Sequence, residues 1–127
     1  MAKAPRRALA VDDEPTDLEA IRHTLVRAGY DVATANDAKT ALEIFQSDGG
    51  FNVLVTDVAM SPINGCDLAA DLVKLKPDLR VVFISGYSGS QSFRYRGVPI
   101  GDVAFVTKPF DPEDLISKVQ VKPEPCG

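Results

Sequence analysis

The sequence has no tryptophan, one histidine and two cysteines among its 127 residues, and each shortage removes a class of chemistry. Cys66 and Cys126 stand far apart, one beside a turn and one in a proline-containing tail, without the spacing of metal ligands or of a disulfide framework. Cys66 reads as a small packing residue and Cys126 as an exposed thiol. His23 has no second histidine to work with, so it reads as a surface or half-buried residue of a helix with no chemical role. No apolar run approaches membrane-spanning length, so no membrane insertion is expected. Hydrophilic Asp12, Asp13 and Glu14 interrupt the start where the apolar stretch of a signal peptide would have to continue. Acidic residues outnumber basic ones, 18 Asp and Glu against 14 Lys and Arg. The one basic run is Lys3, Arg6 and Arg7, and the formal net charge is -4, which argues against direct nucleic-acid binding. A cytoplasmic location is expected.

What is present is an ordinary globular mixture, 45% hydrophobic and 25% charged, long enough for one domain with its own core and too short for two. Residues 1–6 are expected to be a flexible lead, 7–121 the folded domain, and 122–127 a tail. Apolar runs alternate with helical periods. Ala8–Val11 reads as a first strand. Pro15 opens a helix with Leu18, Ile21 and Leu25 at helical spacing, and Gly29 stops it. Val32–Ala35 is a second strand, and Asn36 is read as the N-cap of a helix carrying Ala38, Ala41, Leu42 and Phe45 on one side.

Phe51–Thr56 is apolar and β-branched enough for a central strand buried on both faces, with Asp57 at its carboxyl end. Asn64 and Gly65 form a turn before a helix through Leu68, Leu72 and Leu75. Val81–Ile84 and Val103–Val106 are the fourth and fifth strands, and Asp111-Pro112 opens a last helix with Leu115, Ile116 and Val119 inward. Between Ser85 and Asp102 lie Gly86, Gly89, Gly97, Pro99 and Gly101, so any helix there is short or irregular. The expected fold is α/β: a doubly wound, five-stranded parallel sheet in the flavodoxin-like order 2-1-3-4-5.

In such a sheet ligands bind beyond the carboxyl ends of the strands. Asp12 and Asp13 follow strand one, Asp57 ends strand three, Ser85 ends strand four, and Lys108 ends strand five with Pro109 and Phe110 behind it. Three carboxylates held close together repel unless a cation neutralises them or their pKa values rise. An all-oxygen set with few protein carboxylates suits Mg2+, with Mn2+ as substitute, better than calcium or zinc. Asp12 or Asp13 can also cap helix one, and Asp57 can simply end a strand. Neither explanation accounts for a lysine and a hydroxyl at the neighbouring strand ends.

The acidic pair Asp12-Asp13, Asp57 after an apolar strand, Ser85 on strand four and Lys108-Pro109-Phe110 together resemble the response-regulator receiver family of two-component signalling. The resemblance covers nearly the whole chain. It implies a phosphorylation-dependent switch: Asp57 accepts a phosphoryl group from a histidine kinase or histidine phosphotransfer protein, and binding of a downstream partner, whose identity the sequence does not give, changes. Asp12, Asp13, Asp57 and the backbone carbonyl of Ala59 would hold the cation, Lys108 would stabilise the phosphoryl charge, and Ser85 would donate its hydroxyl to a phosphoryl oxygen. Phe105 occupies the place of the family's switching aromatic, although a strand phenylalanine is usually core. No enzyme activity beyond self-phosphorylation and self-dephosphorylation is implied.

Two departures from the family pattern stand out. Ser61 separates Met60 from Pro62, so the φ that proline locks is shifted by one residue. Two residues beyond Asp57 and Ser85, small Ala59 offers no amide or carboxylate to orient a hydrolytic water and bulky Tyr87 would screen it, so slow self-hydrolysis is expected. A stand-alone receiver is the simpler reading. A receiver cut from a larger regulator or hybrid kinase is the alternative, and an aspartyl phosphatase is a third, against which Ala59 stands where a second acid is needed.

Overall fold

The computed structural model describes residues 6–48, 50–58, 65–85, 103–108 and 110–119. Its elements run β1 (Arg7–Val11), α1 (Pro15–Arg27), β2 (Asp31–Ala35), α2 (Ala38–Asp48), β3 (Val53–Asp57), α3 (Gly65–Leu75), β4 (Arg80–Ser85), β5 (Val103–Thr107) and α4 (Pro112–Val119). The strands form one sheet in the order β2-β1-β3-β4-β5, every pair parallel. This is the flavodoxin-like order that the alternation of apolar runs and helical periods predicts. The short or irregular helix expected after Ser85 falls outside the described residues, as do Ala59, the Ser61-Pro62 loop, Tyr87, Pro109 and the tail.

Strand parity divides the core in two. Leu9, Val11, Leu54, Val81 and Phe83 point to the layer made with α2 and α3, where Phe45, Leu68, Ala69 and Leu72 meet them. Ala8, Ala10, Val53, Val55, Val82, Ile84, Ala104 and Val106 point the other way, onto Ile21 and Leu25 of α1 and Leu115 and Val119 of α4. With side chains buried on both faces, β1, β3 and β4 read as unbroken apolar runs instead of alternating ones. Each fully buried Leu, Ile, Val or Phe contributes roughly 1.5–3 kcal/mol of transfer free energy.

The helix ends follow from local chemistry. Pro15 occupies the first position of α1, where a missing N–H costs nothing. At the other end Gly29 adopts φ 97°, which lets Gly29 N donate to Val26 O and Tyr30 N to Leu25 O. This double closure satisfies carbonyls the helix leaves open. The start of α2 differs by one residue from the sequence expectation: Asp37, not Asn36, is the cap, because its Oδ1 accepts from Thr40 N at 2.7 Å, the reach of a cap to the third helical N–H. Gly65 likewise opens α3 instead of completing a turn. Asp111 caps α4 as expected, accepting from Glu113 N at 3.1 Å. No described helix is long and apolar enough to cross a membrane.

Candidate functional site

Register builds the site before any side chain is considered. Val11 pairs with Thr56, so the next residues along, Asp12 and Asp57, emerge side by side at the carboxyl edge. Asp57 pairs with Ile84 and Ser85 with Thr107, which puts Lys108 one residue past the same edge. The chain holds this rim closed with Asp12 N donating to Ala35 O at 3.2 Å and Val58 N to Ile84 O at 3.1 Å. By parity Asp12 continues the series Ala8-Ala10, Asp57 the series Val53-Val55, and Lys108 the series Ala104-Val106. All three therefore belong to the α1–α4 side of the sheet.

The Lys108 ammonium is the centre. Its Nζ donates to Asp57 Oδ2 at 2.9 Å, to Asp17 Oδ2 at 2.9 Å and to Asp12 Oδ2 at 3.0 Å. An ammonium has three N–H donors, and each finds a carboxylate. Asp12 has no exposed surface and Asp57 is 7% exposed, while the Asp17 side chain is 39% exposed. Asp12 Oδ1 also accepts from Glu14 N at 2.9 Å. The same aspartate thus ties the turn ahead of α1 and faces the rim; it does not cap the helix, whose N-cap is Glu14. Oxygens of Asp12, Asp13 and Asp57 lie within 4.8 Å of one another, with Asp13 exposed.

Electrostatics here are unbalanced by design of the residue set. Burial, with Asp57 adding repulsion, pushes the Asp12 carboxyl above its ordinary value against the pull of Glu14 N–H and Lys108. Burial works to lower the Lys108 pKa, but the hydrogen bonds it donates to Asp57, Asp17 and Asp12 outweigh it, so the ammonium is held above its ordinary value. Four carboxylates against one ammonium leave the rim strongly negative. Three clustered carboxylates, all oxygen and partly open to solvent, fit a hard divalent cation.

The structure therefore brings together Asp12, Asp13, Asp57 and Lys108 as the sequence implies, and places Ser85 at the end of β4. Phe105 is half-buried, its ring 5.6 Å from that of Phe83 and stacked at 27°. The cation-ligating carbonyl expected at Ala59 lies outside the described residues. His23 is exposed on α1, beside a cavity of about 360 Å³ that Asp17, Thr24, Lys108 and Phe110 also line. Asp17 is the residue the sequence reasoning missed. The available signal was parity: once Lys108 is assigned to the α1–α4 side, the first turn of α1 is what faces it, and Asp17 is the acid there.

Comparison with known proteins agrees with this geometry. Residues 8–120 match the response regulator receiver domain. A two-component response regulator of Arabidopsis thaliana, ARR10, is 36% identical over 110 residues, covering 86% of this chain but 20% of that protein; the chain spans only about a fifth of this curated relative. Among solved structures, the chemotaxis protein CheY4 of Vibrio cholerae superposes with a TM-score of 0.79 at 28% identity, covering 90% of this chain and 95% of that one. A response regulator receiver protein of Sinorhizobium medicae gives 0.80 at 29%, covering 91% of each. With the sheet order, the acidic rim and the match over residues 8–120 in agreement, the chain belongs to the response regulator receiver domain family.

Proposed function

We propose that this receiver accepts a phosphoryl group on Asp57 from a histidine kinase or histidine phosphotransfer protein and thereby changes its binding of a downstream protein. The observation that carries the reading is the contact of Lys108 Nζ with Asp57 Oδ2 at 2.9 Å, beside a carboxylate trio within 4.8 Å. A carboxylate oxygen of Asp57 attacks the donor phosphorus; the new O–P bond forms as the bond from phosphorus to the donor's imidazole nitrogen breaks, and the electron pair leaves on that nitrogen. Lys108 remains an ammonium throughout. It first holds the nucleophile and then, as Asp57 loses its charge, offers the released N–H to a phosphoryl oxygen.

Asp12, Asp13 and Asp57, joined by the carbonyl of Ala59, would hold Mg2+ or Mn2+. The bound cation supplies positive charge against the phosphoryl oxygens. Ser85 at the end of β4 donates its hydroxyl to the phosphoryl group, and Phe105, packed on Phe83, follows that movement through its packing. The protein acts as a phosphoacceptor switch and not as an enzyme on a diffusible substrate. The test is phosphorylation by a small phosphodonor with Mg2+ and with a chelator. Incorporation that needs the cation supports the reading, and equal incorporation without it removes the role given to the carboxylate trio.

A further inference from the structure

Of the three carboxylates on Lys108, Asp12 and Asp57 also belong to the cluster that fits a cation, and Asp17 does not. That difference matters once the site is loaded. A divalent ion draws charge from Asp12 and Asp57, so both pull less on the ammonium while the nucleophile still waits for its donor; after transfer the phosphoryl oxygens take the N–H that Asp57 releases. Asp17, on the first turn of α1 and 2.9 Å away, keeps its full charge. We infer that Asp17 is a positioning residue that anchors the Lys108 ammonium beside Asp57 while the cation is bound and the phosphoryl donor approaches. The inference rests on the phosphoacceptor reading of Asp57.

Geometry gives the anchor its direction. Asp12 and Asp57 approach Lys108 from strand ends, whereas Asp17 comes from a helix packed over the same side of the sheet, through Ile21 and Leu25. The three contacts fix Nζ from three elements. Without Asp17 the flexible four-carbon stem is held only by Asp12 and Asp57, whose pull the cation weakens. Asp17 also adds negative charge near an incoming anionic donor, which alone would slow transfer, so the two effects have opposite signs and can be told apart.

The experiment uses the whole chain with saturating Mg2+ and acetyl phosphate as donor, and follows the Asp57 phosphorylation rate. Asp17→Ala is expected to slow it roughly three- to tenfold, in the range that contacting residues show when coupled, and Asp17→Asn to slow it less because its amide oxygen still accepts. Both effects should vanish in a Lys108→Ala background. A second readout is the 15N–1H signal of the Lys108 ammonium in the Mg2+-bound protein, expected in wild type and lost in Asp17→Ala. An Asp17→Ala chain that phosphorylates as fast as wild type, or an equal slowing without Lys108, overturns the inference. A wild-type chain that takes no phosphoryl group overturns the acceptor reading instead, and the ammonium signal then decides the anchoring by itself.

Discussion

Lys108 donates to Asp17 at 2.9 Å, joining the end of β5 to the first turn of α1 across the carboxyl edge of the sheet. The same ammonium holds Asp12 and Asp57, so one cation of the chain itself balances acids from β1, α1 and β3. Lys108→Ala is expected to lower stability by about 1–2 kcal/mol in cation-free buffer of low ionic strength, because Asp12 is left buried without its partner. Added Mg2+ should return most of the loss. Urea unfolding of both proteins with and without the ion checks this; a loss that Mg2+ does not reduce speaks against a shared site.

Phe105 stacks on Phe83, and its strand ends two residues later beside Ser85 in the register. A 19F label on Phe105 should change chemical shift when Asp57 is phosphorylated, and the change should be lost with Ser85→Ala. An unchanged resonance would leave Phe105 as core alone.

Tyr30 donates its hydroxyl to Val119 O at 3.3 Å, tying the loop after α1 to the last turn of α4. Burial pushes its pKa above the ordinary 10.0. The unfolded chain therefore ionises first, and the stability this phenol gives is fully present below pH 10 and lost as pH climbs past it. Tyr30→Phe should cost about 1 kcal/mol at neutral pH and have a shallower alkaline decline than wild type in urea titrations. A steeper decline in the variant would reverse the sign argued here.

Gly29 sits at φ 97° with open space where a Cβ would project. Only backbone strain opposes Gly29→Ala, so thermal unfolding should report a loss of about 1–2 kcal/mol, with the fold unchanged. A neutral substitution would mean that the α1 closure can form another way.

Much of this was legible in the sequence for a physical reason: strands buried on both faces read as short unbroken apolar runs, and helices buried on one face repeat with a period of 3.6. The run Ala8–Val11 and the helical spacing of Leu18, Ile21 and Leu25 announce a strand and a helix, while the division of Leu9 and Val11 from Ala8 and Ala10 between two layers comes from the structure. Asp12, Asp13, Asp57 and Lys108 were legible because strand ends converge on one edge. Asp17 was not, since its role depends on where a helix packs over the sheet, and a first-turn acid is also what any helix favours. The cap of α2 moved from Asn36 to Asp37 for a similar reason: two adjacent capping residues differ only in which one reaches the third N–H.

The central claim is that Asp57 takes the phosphoryl group. Intact mass of wild type and of Asp57→Asn, each treated with acetyl phosphate and Mg2+, measures it directly. One added phosphoryl mass on wild type, absent from Asp57→Asn, is the result this account predicts; an unmodified wild-type chain, or equal modification of both, would contradict it.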